Sequence, residues 1–491
     1  MILKTYNIQL DDTKMQVRIV GGEDFVSLYK VASPEMSKAS IALMDSMRED
    51  LLKDSKIGME EIFDSSAITK IKNDFKKRAE LIINKKIPGL DEKTKGLLIN
   101  SLIYEMVGLG ELEILLADPD LEEIAINSAK EPVWVYHKNF GWLKTNISLK
   151  DEKQIQNYSS IIARRVGRQI TTLEPLLDAH LVTGDRANAT LFPVSTKGNT
   201  LTIRKFARKP WTITDFIENR TLNPESAAFL WLCIQYELNM IIAGGTSSGK
   251  TSLLNSLMPF IQPNHRIISI EDTRELQLPD FLHWIPLTTR QPNPEGRGNV
   301  DMLDLMVNSL RMRPDRIVVG EIRKADQAEV LFEAMLTGHS VYATLHADTV
   351  DQVLRRMTNP PINLPEVMME ALHVVAVQYR DRRKGIRRLY QLAEILPTGE
   401  SGEKIILKPN VLYRSKPSGE IVAHDECVRV FDTLKMHTAM STKDIINDMS
   451  DKMKILDWMV KNKVNEINSV GKIVSEYYAD PKKAMDKIGE D

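Results

Sequence analysis

Cysteine, long apolar runs and an excess of either charge are all scarce in this sequence, and each absence narrows what the chain can be. Only Cys233 and Cys427 are present in 491 residues. They lie far apart in sequence and form no C-x-x-C, so neither a disulfide framework nor a zinc knuckle is expected within one chain; buried, inert thiols are expected instead. A bilayer span needs ~20 apolar residues. The most apolar window, Phe229 to Ala243, is interrupted by Gln235, Glu237 and Asn239. The opening MILKTYNIQLDDTK turns polar too soon for a secretory leader, so any membrane role is expected to run through a partner. Lys and Arg number 65 against 67 Asp and Glu. This balance lacks the basic footprint of a dedicated nucleic-acid binder, and no nucleic-acid partner is expected. No internal repeat or low-complexity tract suggests a solenoid.

Core material is plentiful. Hydrophobic residues make up 43% and charged residues 27%, an ordinary balance for a folded cytosolic-type protein, and the length calls for more than one hydrophobic core. The pattern divides into four stretches. Residues 1–92 read as a small N-terminal helical or cap region, punctuated by Pro88 and Gly89. Residues 93–208 read as a mixed α+β domain, with a helical run from Leu97 to Leu116, strands EEIAIN and PVWVYH, and a turn at Asn139 to Gly141. Residues 209–224 read as a linker beginning at Lys209-Pro210-Trp211. In 225–491, the apolar strands NMIIA, RIISIE, RIVVG and VYATLH alternate with helical patterns, the rhythm of a parallel α/β sheet. Beyond Pro397 the chain turns polar, with a hairpin across Val411 to Val422 and helical segments at the end.

Residues 244–251, GGTSSGKT, match G-x-x-x-x-G-K-[ST] and sit between a strand and the helix SLLNSLM. Phosphate binding needs backbone N–H groups turned inward without Cβ clashes, which Gly244 and Gly249 permit, and a helix N-terminus whose dipole favours anions. Lys250 would reach the β- and γ-phosphates, and Thr251 would place its hydroxyl on Mg²⁺. In MRPDRIVVGEIR the apolar run ends in Gly320 and Glu321, putting Glu321 at a strand tip near the γ-phosphate, where it can orient water or hold hydrated Mg²⁺. RIISIEDTREL brings Glu271, Asp272 and Glu275 to another strand end. One acid site would polarise water and the other hold metal; the pattern does not divide the roles, and Asp272 serves equally well as a turn cap with Arg274.

In TGHSVYATLHADT, His339 and His346 are an odd number of residues apart, so alternation turns them to opposite faces. His346, at the strand's C-terminus, is the expected γ-phosphate sensor, while His339 would orient a neighbour or act across a subunit interface. Arginines are dense near these motifs: Arg290, Arg311, Arg313, Arg316 and Arg323, with Arg186 and Arg204 upstream. Hydrolysis at a subunit boundary needs a cation to offset phosphoryl charge, and Arg186 and Arg204 are the candidates to reach a nucleotide from the N-terminal domain. RDRRKGIRRL reads as a basic hairpin tip, either solvated or facing an acidic partner or lipid headgroups.

The order of these motifs resembles the type II/type IV secretion ATPase superfamily, which includes pilus, archaellum and conjugation motors. GGTSSGKT is similar to its Walker A, IEDTREL to its Asp box, RIVVGEIR to its atypical Walker B and TGHSVYATLHADT to its His box. GLGELEILLADPDLEEIAIN, VYHKNFGWLKTN and LTIRKF resemble N-terminal segments, so the likeness covers roughly residues 95 to 480. The resemblance implies a RecA-like P-loop C-terminal motor domain behind a mixed α+β N-terminal domain with a small cap. It further implies a homo-hexameric ring that uses ATP and Mg²⁺ at the inner face of the cell membrane and passes domain movement to a polytopic platform protein.

Carried onto this chain, the nucleotide loop is Gly244, Gly245, Thr246, Ser247, Ser248, Gly249, Lys250, Thr251 and Ser252. Glu271 and Glu321 are the acids closest to hydrolysis, Glu275 is the second Asp-box acid, His339 and His346 belong to the His box, and Arg186 and Arg204 reach across domains. Two departures stand out. The four-cysteine zinc site of many bacterial members has no counterpart, and LVTGDR replaces a more usual LPDGSR-like segment. LHADTVDQVLRRMTNPPINLP most resembles archaeal members, the archaellum motor and adhesive-pilus ATPases. Retraction, secretion and conjugation roles within the superfamily, a RecA-like nucleic-acid translocase and a non-enzymatic scaffold stay open as alternatives.

Overall fold

Among the described residues, strand pairing gives two nine-stranded sheets, one in each of two compact units: Met1–Arg208 with Asn293–Arg297, and Lys209–Pro292 with Gly298–Asp491. The computed structural model describes all residues except 1, 12, 22–24, 33–37, 54–64, 182–183, 207–208, 293–294, 382, 402–403 and 490–491. Among the described residues no helix is long and apolar enough to cross a membrane.

The first unit contains strands β1 (Ile2–Leu10), β2 (Thr13–Val20) and β3 (Leu28–Val31), then helices α1 (Lys38–Lys53), α2 (Ser65–Lys86), α3 (Glu92–Val107) and α4 (Leu112–Ala117). These are followed by β4 (Leu121–Ile126), β5 (Pro132–His137), β6 (Gly141–Ser148), α5 (Glu152–Arg165), β7 (Leu176–His180), β8 (Arg186–Thr190) and β9 (Thr200–Arg204). The sheet order is β1-β2-β3-β6-β5-β4-β9-β8-β7. Strict alternation in PVWVYH buries Val133, Val135 and His137 on one face, as expected of a half-buried strand.

The expected cap over residues 1–92 is drawn differently in the fold. Its opening strands extend the domain's own sheet, because β3 pairs with β6 and the Asn146 amide bonds both the N–H and the carbonyl of Val31 at 2.9 Å. Its helices pack instead with α3 around Met44, Met47, Phe75, Ile83, Ile99 and Leu102. The expected helical run from Leu97 to Leu116 breaks between α3 and α4, where Gly110 takes φ 58° and the Glu113 carboxylate accepts from the Leu109 N–H at 3.0 Å.

Buried Asp118 fixes this arrangement. Its Oδ2 accepts from the hydroxyls of Tyr6 at 2.6 Å and Tyr29 at 2.7 Å, tying β1 and β3 to the turn before β4. Asp118→Ala would leave two largely buried phenols without their acceptor and is expected to cost about 2–4 kcal/mol. Denaturant unfolding should show this loss, with hydrogen-exchange protection falling first in β1 and β2.

The second unit starts with α6 (Ile213–Glu218) and α7 (Pro224–Gln235), followed by β10 (Met240–Gly244), α8 (Lys250–Leu257), β11 (Arg266–Glu271) and β12 (His283–Thr288). Next come α9 (Met302–Ser309), β13 (Arg316–Val319), α10 (Ala325–Leu336), β14 (Ser340–Leu345) and α11 (Val350–Thr358). Four strands, β15 (Val374–Asp381), β16 (Ile386–Ser401), β17 (Lys404–Ser415) and β18 (Ile421–Ala423), precede the closing helices α12 (Arg429–Thr438), α13 (Thr442–Lys461), α14 (Ile467–Ala479) and α15 (Pro481–Gly489). The sheet order is β12-β11-β13-β14-β10-β15-β16-β17-β18, parallel from β12 through β15 and antiparallel thereafter.

Strands β10, β13 and β14 are buried at every position, so they read as mainly apolar runs, with buried Arg316, Ser340 and Thr344 among them. Successive residues serve opposite cores. Met240 and Ile242 pack with α7, α8 and α13, while Ile241 and Ala243 pack with α10 and α11. This is the RecA-like P-loop sheet, and its parallel strands bring their C-terminal ends to one edge. The expected linker 209–224 is part of this core: Ile213 and Phe216 of α6 are buried in it, and Thr214 donates to the Val464 carbonyl at 2.8 Å. Antiparallel β17 and β18 form the expected hairpin across Val411 to Val422. Both cysteines are free, and burial pushes both thiols well above their ordinary range.

Candidate active site

At the C-terminal end of β10 the backbone turns inward at Gly244, whose φ is 153°. A Cβ there would meet the Gln378 carbonyl of β15 and the Ser248 hydroxyl, both at 2.4 Å. Gly249, at φ 96°, closes the turn as the N-cap of α8, a conformation open to glycine and strained for other residues. The intervening backbone curls over the first turn of that helix. Lys250 Nζ lies 3.0 Å from the carbonyl oxygens of both Gly244 and Gly245. Burial lowers the Lys250 pKa, and the Glu321, Asp348 and Glu275 carboxylates oppose that shift, Glu321 most strongly. Ser248 is buried, and its hydroxyl has no partner among the described residues. Thr251 is partly buried in the first turn of α8, and Ser252 beside it is exposed.

The loop thus provides a tight glycine-bounded turn, a helix N-terminus, a lysine and an unpaired buried hydroxyl, a set that fits a polyphosphate. Among the described residues no cluster of three or more His, Cys, Asp or Glu side chains is placed to hold a metal ion alone. A Mg²⁺ ion bound mainly by substrate phosphates and water needs only one or two protein ligands, and Thr251 in the first turn of α8 is the residue that could supply one.

Glu271 ends β11 and is 2% exposed. Its Oε1 accepts from the N–H groups of Glu275 at 2.8 Å and Leu276 at 3.0 Å, while Oε2 is buried without a partner among the described residues. Burial pushes its pKa up to about 7, against the opposing pull of the two N–H bonds. Glu275 is exposed on the following turn. Glu321 follows the end of β13, and both it and Asp272 are bound to Arg323, at 2.8 Å and 2.6 Å. His346 follows the end of β14, its Nε2 3.0 Å from the Thr246 hydroxyl. Burial and then the Lys250 charge lower its pKa, favouring neutral imidazole.

One candidate of this unit is not brought to the loop, and two belong to the first unit. His339 lies at the other end of β14, a strand of six residues, or about 20 Å away at ~3.3 Å per residue. Its ring is within 3.2 Å of the Thr337 hydroxyl and the Ala334 carbonyl, so within one chain it caps the end of α10. Arg186 and Arg204 belong to the first unit, where they face each other across β8 and β9. The Arg186 guanidinium is bound to both Asp178 oxygens, at 2.9 and 2.7 Å. Of the other arginines near the motifs, Arg316 is fully buried and donates to Ser340 and Tyr342, a structural role at the N-terminal ends of the strands.

Two residues near the loop escaped the sequence reading. Arg387 follows the turn of the basic β15–β16 hairpin, and its Nε donates to the Ser247 carbonyl at 3.1 Å. Arg382 of the same cluster lies outside the described residues. The apolar run VVAVQ before this hairpin signals a strand, but its adjacency to β10 depends on strand order. Asp348 is the second: its Oδ1 lies 3.0 Å from where a Cβ on Gly245 would sit.

Fold and loop together define a P-loop protein of the RecA-like class. The sequence model of the type II/IV secretion system protein family matches residues 158–391. The uncharacterized protein MJ0900 of Methanocaldococcus jannaschii is 35% identical over 79% of this chain and 70% of its own length. The type IV secretion system protein PtlH of Bordetella pertussis is 29% identical over 56% of this chain and 89% of its own length. Among solved structures, the VirB11 ATPase of the Brucella suis type IV secretion system, in complex with sulphate, is 25% identical over 57% of this chain and 91% of its own, with a TM-score of 0.30. The chain belongs to the type II/IV secretion system protein family.

The loop geometry separates its first two glycines. Gly244→Ala is expected to cost about 1–3 kcal/mol, because its Cβ meets a backbone carbonyl in a strained conformation. Gly245→Ala should be nearly neutral, because only the movable Asp348 side chain is in the way. Denaturant unfolding of the two variants tests this directly.

Proposed function

We propose that this chain is an ATP-hydrolysing motor, working as a homo-hexamer at the cytoplasmic face of the cell membrane on a polytopic platform protein. In this reading it powers assembly or rotation of a type IV pilus-like filament or archaellum. The observation that carries the ATPase reading is one edge of one sheet where Lys250, Glu271, Glu321 and His346 follow the ends of adjacent parallel strands. Similarity over 79% of the chain to MJ0900 of Methanocaldococcus jannaschii agrees with the archaeal resemblance of LHADTVDQVLRRMTNPPINLP. The four-cysteine zinc site of many bacterial members has no counterpart among Cys233 and Cys427.

Residues Gly244 to Ser252 hold the phosphates, with Lys250 leaving its two loop carbonyls for the β- and γ-oxygens. Thr251, with Glu321 through water, would hold Mg²⁺, which offsets charge on those oxygens when bound. Glu271 accepts a proton from attacking water: its buried Oε2 has no donor among the described residues, and a pKa of about 7 suits a base at neutral pH. Glu275 holds the Asp-box turn. Thr246 couples His346 to the loop, so that the imidazole reports on the γ-phosphate position. Arg186 and Arg204 supply cations from the N-terminal unit, and His339 acts at a subunit boundary. The basic hairpin facing acidic lipid is a further part of the reading.

Lys250→Ala should abolish nucleotide binding and turnover. Glu271→Gln should keep ATP binding and lose about 100-fold or more in kcat. A base titrating near 7 works only when deprotonated, so wild-type turnover should rise from pH 6 to pH 8, and Glu271→Gln should flatten that limb. Retained turnover in Lys250→Ala would turn the reading toward a scaffold. Stimulation by single-stranded DNA, but not by platform protein or acidic vesicles, would turn it toward a translocase.

A further inference from the structure

Beyond the residues given roles above, we propose that Arg323 is a positioning residue that holds the Glu321 carboxylate in its working orientation; the inference rests on the ATPase reading of this site. The guanidinium lies across the ends of two adjacent strands. Its Nε and Nη2 both bond Glu321 Oε2 at 2.8 Å, and its Nη1 bonds Asp272 Oδ2 at 2.6 Å. One oxygen of Glu321 is thereby fixed. The other, Oε1, makes no hydrogen bond among the described residues, and the same carboxylate is the acid that most strongly favours the charged form of Lys250. Glu321 thus has a held side and a working side.

The holder is itself anchored. The Gln327 side-chain oxygen accepts from the backbone N–H groups of Arg323 at 3.0 Å and Lys324 at 3.2 Å, and Gln327 is 7% exposed at the start of α10. Asp272, the other carboxylate, is within 3.4 Å of the Thr289 hydroxyl just after β12. The guanidinium therefore links β11 to β13, with Thr289 as a further contact, and fixes the spacing between the Asp-box and Walker B strand ends. A planar fork suits two carboxylates at once, whereas a lysine at this position is a single point charge.

Positioning predicts losses in turnover without losses in binding. Arg323 has a side-chain exposure of 57%, so Arg323→Gln should keep its Tm within about 2 °C of wild type. It should lower kcat by about 10- to 100-fold while the Kd for a fluorescent ATP analogue stays within about threefold. Arg323→Lys should recover part of the loss. In a Glu321→Gln background, Arg323→Gln should add little further loss, because its effect runs through that carboxylate. Wild-type turnover in Arg323→Gln, a matching loss of affinity, or losses that multiply in the double variant would each overturn the inference. A wild-type chain that binds no ATP would instead overturn the ATPase reading on which it rests.

Discussion

The site depends on a backbone that can turn inward immediately after a buried strand. At Gly244 the chain passes so close to the Gln378 carbonyl that no side chain fits, and at Gly249 it takes the conformation that lets α8 begin beneath the turn. Lys250 then turns back over the loop, its ammonium on the carbonyls of Gly244 and Gly245. Those carbonyls hold the ammonium where phosphate oxygens would otherwise receive it. Parallel pairing supplies the rest: because β11, β13, β14 and β10 run the same way, their ends deliver Glu271, Glu321 and His346 to the edge where this loop sits.

Electrostatics at that edge are balanced by different means at each group. Glu271 is almost sealed from water and meets two N–H groups without a full positive charge bound to it, which explains why its proton is held to about pH 7. Glu321 and Asp272 share Arg323 instead. Burial, and after it the Lys250 charge, lower the basicity of His346, consistent with a neutral ring against Thr246. Two carboxylates with such different surroundings are suited to different tasks, one exchanging a proton and one staying fixed.

Much of the second unit was legible from pattern alone, since buried parallel strands leave mainly apolar runs; RIISIE matches β11 in full. The glycine-lysine-threonine loop was legible because its chemistry is local. Features set by distant pairing were not. β1 to β3 look like a separate cap until β3 is found beside β6 and Asp118 is found holding Tyr6 and Tyr29. His339 shares a motif with His346, yet the strand between them separates the two. Arg387 reaches the loop only because β15 lies next to β10, an adjacency that spacing along the chain does not reveal. Arg323 was visible as a charge, but its two partners come from neighbouring strands.

The central claim, that residues 244–252 and the acidic strand ends form an ATP-hydrolysing centre, is tested most directly by a structure of the full chain with Mg²⁺ and a non-hydrolysable ATP analogue. Lys250 Nζ should then have exchanged the carbonyls of Gly244 and Gly245 for phosphate oxygens, with Thr251 Oγ1 on the metal and a water between Glu271 and the terminal phosphate. Nucleotide bound elsewhere, or bound at the loop with Lys250 still on the two carbonyls, would contradict the account.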